Sequence, residues 1–170
     1  MIHWFKRFAA VAALTVVTAC GGSDDPPLPN IVALAQATPS LSILVEAVVA
    51  ADLATTLSGP GPFTVFAPTN AAFAALLNEL GVTKAQLLAN KALLTTVLTY
   101  HVLPGKVLAK DVTDGAMPAT VQGQTFTLNK AGASLHILDA RHRGANVIAT
   151  DVQAANGVIH VIDKVLLPKP

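Results

Sequence analysis

The spacing of apolar residues changes halfway along this chain, and that change restricts the folds it can adopt. In the first half, apolar residues recur every three or four positions, as on one face of a helix, at residues 41–48, 73–80 and 94–101. In the second half, short β-prone runs lie between turn residues, at 119–121, 125–128, 134–138, 146–152 and 158–167. One further β-prone run, residues 63–67, lies among the helical stretches. The pattern predicts an α+β fold, with a group of short helices beside a β-sandwich or β-wedge.

Capping and turn residues mark where these elements begin and end. Thr69 or Asn70, Thr83 and Asn90 precede helical stretches, and their side chains can accept hydrogen bonds from the first free N–H groups of a helix. The long apolar run at residues 158–167 is typical of a strand that is buried on both faces. Asn156-Gly157 before it predicts a tight turn, since both residue types tolerate positive φ.

The first residues are typical of a targeting segment. A short basic start is followed by an apolar run at residues 8–17, which is too short to span a bilayer. Residues 17–20 read VTAC and resemble the lipobox of bacterial lipoproteins, in which cleavage exposes a cysteine that is then lipidated. We therefore predict a signal peptide at residues 1–19 and a lipidated Cys20. The alternative is an ordinary secretory signal cleaved near Ala19.

A linker separates this segment from the domain. Residues 21–29 read GGSDDPPLP and lack core-forming side chains. Nine residues reach at most about 30 Å, so the predicted domain, residues 30–168, would stay close to its membrane. By the lipoprotein resemblance, Gly21 stands where inner-membrane lipoproteins carry aspartate. The resemblance therefore implies an outer-membrane protein of the bacterial envelope, attached to the membrane through its N-terminal lipid alone.

Composition and charge narrow the function classes. The chain is 52% apolar and 12% charged, which is typical of one well-packed domain. Without Lys6 and Arg7 of the signal peptide, nine basic residues face ten acidic ones, a formal charge of −1. A nearly neutral domain has no broad field to attract nucleic acid, so we expect none as a partner. Cys20 is the only cysteine, which excludes an internal disulfide.

Three segments carry a resemblance to the fasciclin domain family. Residues 63–73, FTVFAPTNAAF, resemble its first signature, and Tyr100-His101 followed by VLPG resembles its central Tyr-His motif. Residues 156–163, NGVIHVID, resemble its second signature, and VLLP at 165–168 resembles the end of the domain. The resemblance implies a fasciclin-like fold and a role in adhesion. It covers about residues 30–168.

The resemblance also suggests ligand contacts. The family's Tyr-His region has been implicated in adhesion through cell-surface receptors, which makes Tyr100 and His101 candidates. Some animal members carry Asp-Ile, linked to integrin binding, where this chain has Asp151-Val152. The alternatives are structural: Tyr100 and His101 can be core residues at the end of an apolar helix face, and Asp151 can be a turn acid that bonds backbone N–H groups.

Two arginines complete the candidate contacts. Arg141 and Arg143 flank a predicted hairpin tip, where their planar guanidinium groups could bind an anionic glycan. The alternative is that they only keep an exposed turn soluble.

No pattern in the sequence indicates catalysis. The histidines are too dispersed for metal-ligand spacing, and no nucleophile, phosphate-loop or dinucleotide motif is present. We therefore expect no enzymatic activity, no cofactor and no metal. The sequence predicts an extracytoplasmic adhesion or interaction module that binds a surface polysaccharide or a matrix or envelope protein. A periplasmic small-ligand carrier or an envelope hydrolase is the alternative.

Overall fold

The computed structural model describes residues 27–170. The predicted signal peptide, Cys20 and most of the linker lie outside these residues. Six α-helices are α1 (Ile31–Gln36), α2 (Ser42–Ala50), α3 (Ala54–Ser58), α4 (Asn70–Leu80), α5 (Lys84–Ala89) and α6 (Lys91–Tyr100). Six strands are β1 (Phe63–Pro68), β2 (Val102–Pro104), β3 (Thr127–Ala131), β4 (Ser134–Leu138), β5 (Gly144–Ala154) and β6 (Gly157–Ile162).

Helices α4, α5 and α6 begin at residues whose side chains cap them. The Thr69 hydroxyl accepts a hydrogen bond from the N–H of Ala72 at the start of α4. Thr83 forms a reciprocal capping box with Gln86 in α5, and the side chain of Asn90 caps α6. The helices predicted around residues 41–48, 73–80 and 94–101 are confirmed.

The strands form one sheet in the order β2-β1-β6-β5-β4-β3. It contains one parallel pair, the interior strands β1 and β6, in register from Phe63 opposite Gly157 to Pro68 opposite Ile162. The other pairs are antiparallel. The predicted α+β fold, with short helices grouped beside a wedge of strands, is confirmed, and the wedge is one mixed sheet that curls into a half-barrel.

Alternating residues of β1 enter two different cores. Val65 and Ala67 belong to the larger cluster, where helices α1 to α6 pack on one face of the sheet. Phe66 enters a second cluster inside the curl, and its ring meets Phe126 edge-on at 5.2 Å between centroids. Because side chains alternate between the faces of a strand, one short strand supplies both cores.

An irregular segment covers both edges of this sheet. At the β2 edge, the N–H of Val121 donates to the carbonyl of Val102. At the β3 edge, the N–H of Leu128 donates to the carbonyl of Ala116, and Asp114 accepts from the N–H of Lys130. The same stretch of chain, residues 113–125, therefore satisfies edge groups that would otherwise be free to pair with another chain.

Two sequence predictions about strands are wrong. The hairpin predicted from residues 119–121 and 125–128 is a single bridge between Ala119 and Thr125, and the regular strand β3 begins only at Thr127. The strand predicted over residues 158–167 ends at Ile162. Residues 165–167 are buried as predicted, but side chains from elsewhere in the fold bond their backbone in place of a neighbouring strand.

The two ends of β5 define two poles of the domain. At the N-terminal pole, the N–H of Ala155 donates to the carbonyl of Pro29, and the side chain of Asn156 accepts from the N–H of Ile31. The chain thus enters the domain beside the turn between β5 and β6. The other end of β5 lies about 30 Å away, since an extended residue spans about 3.3 Å. We call that end, formed by the turn at residues 139–143 and the C-terminal residues 166–169, the distal pole.

We predict that Gly157→Ala strongly destabilises the domain. A Cβ atom at this position would lie 2.0 Å from the carbonyl oxygen of Phe63 and 2.9 Å from Cδ1 of Ile31, so β1 and β6 would have to separate. The expected loss in the free energy of unfolding is about 3 kcal/mol, measured by urea denaturation. Gly144→Ala is the matched control, because nothing lies within 4 Å of a Cβ there. Equal stability of the two variants would contradict this account of the β1–β6 contact.

Candidate functional site

Tyr100 lies at the end of α6 with its side chain wholly buried. Its hydroxyl donates to the carbonyl of Thr125 at 3.0 Å and accepts from the N–H of Ala140 at 2.9 Å. Its ring meets Phe126 edge-on, at 5.8 Å between centroids. Burial raises the pKa of Tyr100, which keeps the hydroxyl protonated as this donor role requires. The side chain therefore ties the segment before β3 to the turn after β4.

His101 is equally buried and bonds backbone at both ring nitrogens. Nδ1 lies 2.7 Å from the carbonyl oxygen of Val97, and Nε2 accepts from the N–H of Leu166 at 2.9 Å. Because Leu166 can only donate, Nε2 carries no proton and Nδ1 carries it. Burial lowers the pKa of His101 to about 4, although the Val97 carbonyl and the negative charge of Asp139 both oppose this shift. The ring is thus neutral near pH 7, and it links the backbones of two segments by donating to one and accepting from the other.

The C-terminal residues 166–169, here called the C-terminal strap, are held by side chains. Leu166 is bonded by His101 as described, and the N–H of Leu167 donates to the carboxylate of Asp139 at 3.0 Å. Nε of Arg141 donates to the carbonyl of Pro168 at 2.8 Å. The side-chain amide of Gln124 bonds both the N–H and the carbonyl of Lys169. These contacts replace the strand pairing that the strap lacks.

Asp139 organises the distal pole, and it was not among the residues predicted from the sequence. It is buried, and one carboxylate oxygen accepts from the N–H groups of Arg141 and Arg143 at 2.9 Å each. The other oxygen bonds Leu167. An aspartate directly before a polar turn that ends in glycine is a common local signal for such bonding. Its bond to the strap, 28 residues away, has no local signal.

The two arginines have different surroundings. Arg143 is only 26% exposed and pairs with Glu79 of α4, and its Nη1 atom is buried without a hydrogen-bond partner in the described structure. Its guanidinium is therefore committed within the domain. Arg141 is exposed and is held at Nε by the strap alone. The alternative interpretation, that both only keep a turn soluble, does not fit Arg143.

Asp151 and Val152 lie in an irregular stretch of β5, where the register against β6 shifts. Asp151 has a positive φ of 58°. Its carboxylate accepts from the N–H of Ala109 at 2.9 Å, and its own N–H donates to Nδ1 of His160 at 3.3 Å. This is the bonding expected of a turn acid. The side chain of Val152 is partly buried against the larger core.

His160, which accepts the hydrogen bond from the N–H of Asp151, also bonds a second backbone group. Its Nε2 donates to the carbonyl of Val107 at 2.9 Å, and its ring stacks on Phe66. Burial lowers the pKa of His160, so this ring too is a neutral connector. The structure thus brings His101 and Arg141 together at the C-terminal strap, while Tyr100 bonds Ala140, next to Arg141. It places Asp151 and Val152 eight or more residues along β5 from Arg143, about 25 Å away.

Residues 27–170 contain neither a cluster of metal ligands nor a membrane-crossing helix. In this part of the chain, no three side chains among His, Cys, Asp and Glu gather as metal ligands would. None of the helices in the same range has the length and apolar character needed to cross a bilayer.

We predict that His101 makes the stability of the domain depend on pH. Its pKa is about 4 in the folded state and about 6.5 when unfolded, so the unfolded chain binds the extra proton between these values. The neutral His101 ring contributes fully to the free energy of unfolding above pH 6.5. This contribution, roughly 3 kcal/mol in total, is lost as pH falls through about 4. Urea denaturation from pH 7 to 4 should show a shallower slope for His101→Gln than for the native chain. His142→Asn, at an exposed turn position, should leave the slope unchanged, and equal slopes for His101→Gln and the native chain would refute the assignment.

The fasciclin domain family model matches residues 39–168. The chain is 48% identical over 140 residues to protein sll1483 of Synechocystis, with 82% of this chain and 73% of that protein covered. It is 38% identical over 121 residues to the cell surface glycolipoprotein MPB83 of Mycobacterium bovis, covering 69% of this chain and 48% of MPB83. A solved domain pair from the insect cell adhesion molecule fasciclin I superposes with a TM-score of 0.74, at 18% identity, and covers 83% of this chain and 51% of that one.

The match includes each segment on which the resemblance was based. The first signature is strand β1 and the start of α4, the Tyr-His motif ends α6, and the second signature is β6. The first and second signatures pair as parallel neighbours in the interior of the sheet. This chain belongs to the fasciclin domain family.

Proposed function

We propose that the chain is a lipid-anchored protein of the bacterial envelope. In this proposal its fasciclin domain is a non-catalytic adhesion or interaction module that binds a surface polysaccharide or another protein. The observation that carries the proposal is that the buried polar side chains are hydrogen-bonded to the backbone. Each buried imidazole and the buried carboxylate of Asp139 is occupied by backbone groups that connect distant segments. Groups that reactive chemistry would use serve in this domain as structural connectors.

The cavities support the same proposal. The pocket between α1, α2 and the sheet measures about 30 Å³, and its lining is apolar except for His101. This volume is far below the roughly 150 Å³ of a cavity that binds benzene. A larger hollow of about 430 Å³ at the distal pole, whose lining includes Asp139, His142 and Lys169, is open to solvent. The alternative function, a small-ligand carrier or envelope hydrolase, would need a closed cavity lined by polar groups. A surface interaction needs none.

One relative agrees with an envelope location. MPB83 is named a cell surface glycolipoprotein. The lipobox-like residues 17–20 of this chain favour a lipid at Cys20, and thereby attachment at the outer membrane. On this basis the N-terminal pole, where Pro29 enters, lies next to the lipid. The distal pole then faces away from it.

The candidate contact residues fit this orientation unequally. We interpret Tyr100 and His101 as core residues, because a ligand on the surface cannot reach side chains at 0% and 1% exposure. Arg143 is paired with Glu79, and Asp151 and Val152 lie nearer the N-terminal pole. Arg141 combines exposure with a place at the distal pole, and we propose it as the principal ligand contact of the set.

We predict saturable binding to envelope material. The full chain in lipid nanodiscs is applied to an array of bacterial surface polysaccharides and envelope proteins, with empty nanodiscs as the control. Because a contact through surface loops does not depend on one reactive group, at least one component should bind at moderate salt and none should be chemically altered. Conversion of a component, abolished by one side-chain change that leaves the fold intact, would show that the protein is an enzyme. Absence of saturable binding at every salt concentration would count against the module.

We predict that Cys20→Ser abolishes lipid attachment. Cells producing the native chain or the variant are labelled with a palmitate analogue, and the label is followed into the protein. The native chain should be labelled and should fractionate with membranes, because several acyl chains at one residue give stable anchoring. The variant should carry no label, since no other cysteine is present. Persistent labelling of the variant would place the modification elsewhere.

A further inference from the structure

A small apolar pocket opens at the distal pole between helices α4 and α6. It has a volume of about 90 Å³. Its walls are side chains that are at most 5% exposed, namely Phe73, Leu76, Leu87, Leu94, Val97, Leu98 and Leu167. Two leucines at its rim, Leu80 and Leu93, are 42% and 39% exposed. An apolar pocket with an exposed apolar rim is a favourable place for a partner's apolar side chain.

Arg141 is the one residue lining this pocket that has a polar side chain. Its Nε–H bond to the carbonyl of Pro168 holds the guanidinium against the C-terminal strap. Among residues 27–170, the ion pairs involve Glu46, Asp52 and Glu79, and none of them includes Arg141. Arg143, the neighbouring arginine, is paired with Glu79 and serves as the internal contrast. The pocket therefore combines an apolar interior with an oriented positive charge that has no acidic partner in this part of the chain.

We propose that this pocket binds the C-terminal residue of a partner protein, where that residue has a branched aliphatic side chain. The volume equals that of about three waters, which suits a leucine or valine side chain and is too small for a long acyl chain. A free α-carboxylate lies close to such a side chain and matches the planar fork of Arg141. The exposed leucines at the rim give the preceding residues of the partner an apolar surface to cover. The inference rests on the proposed interaction role and names one partner chemistry for it.

The test compares two peptides that differ in one charge. The full chain, labelled at leucine and valine methyl groups and held in nanodiscs, is titrated with acetyl-Gly-Gly-Ser-Leu that ends in a free carboxylate. The same peptide with a C-terminal amide is the matched probe, and 4-methylpentanoate tests a free small acid. We expect the methyl signals of Leu80 and Leu93 to shift, with at least fivefold tighter binding of the carboxylate peptide than of the amide.

Two charge-matched variants locate the effect. Arg141→Gln should lower affinity for the carboxylate peptide at least fivefold, to that of the amide. Lys169→Gln removes one positive charge from the same pole but leaves the pocket lining unchanged, so its affinity should stay within twofold of the native chain. Urea denaturation checks that both variants fold. If Arg141→Gln does not fold, the comparison of the two peptides on the native chain still decides.

Three results would overturn the inference. They are equal affinity for the carboxylate and amide peptides, no shift at Leu80 and Leu93, and binding of 4-methylpentanoate without binding of the peptide. Failure here is separable from failure of the proposed function. Envelope binding on the array that survives in Arg141→Gln, together with no peptide binding, would refute this pocket's role and leave the interaction module intact.

Discussion

The parallel pairing of β1 with β6 is the contact on which the rest of the domain depends. Phe63 and Gly157 lie 94 residues apart in the sequence, yet their strands pair in the interior of the sheet. Their approach requires a residue without a side chain at position 157, because a Cβ atom would meet the Phe63 carbonyl at 2.0 Å. Asn156 secures the same junction by bonding the carbonyls of Leu57 and Gly59 and the N–H of Ile31. Both signature segments therefore serve one structural purpose, which is to join two parts of the domain that lie far apart in the sequence.

Polar side chains extend this design beyond the sheet. In many domains a buried histidine or aspartate indicates a reactive site, since burial costs free energy unless the group is bonded. In this domain the cost is offset because His101, Asp139 and His160 bond backbone groups that no strand or helix satisfies. A domain with many short helices and strands leaves many backbone groups unpaired where these elements end. The buried polar side chains bond these groups, which is consistent with a module that acts through its surface.

In the proposed lipid-anchored arrangement, one pole of the domain lies near the membrane and the other faces away from it. The chain enters beside the β5–β6 turn, and β5 then spans the domain to the turn that contains Arg141. The distal pole brings together the arginine, the C-terminal strap and the apolar pocket between α4 and α6. In the proposed lipid-anchored arrangement, the short linker confines the domain near its anchor, and the pole farthest from the lipid then has the best access to other molecules of the envelope. The proposed partner contact follows from this arrangement.

Local sequence was sufficient to determine helices α4, α5 and α6, because Thr69, Thr83 and Asn90 cap them through bonds to residues three positions away. The family followed from the resemblance of the signature segments, which form a strand-to-helix corner and a tight turn. Only the tertiary structure decided where β6 ends and what holds residues 165–167. Apolar sequence shows that these residues are buried, but their backbone partners are His101 and Asp139, 65 and 28 residues away in the bonds concerned. Such bonds depend on the folded positions of distant segments, and for the same reason the pocket at Arg141 could not be read from periodicity or spacing.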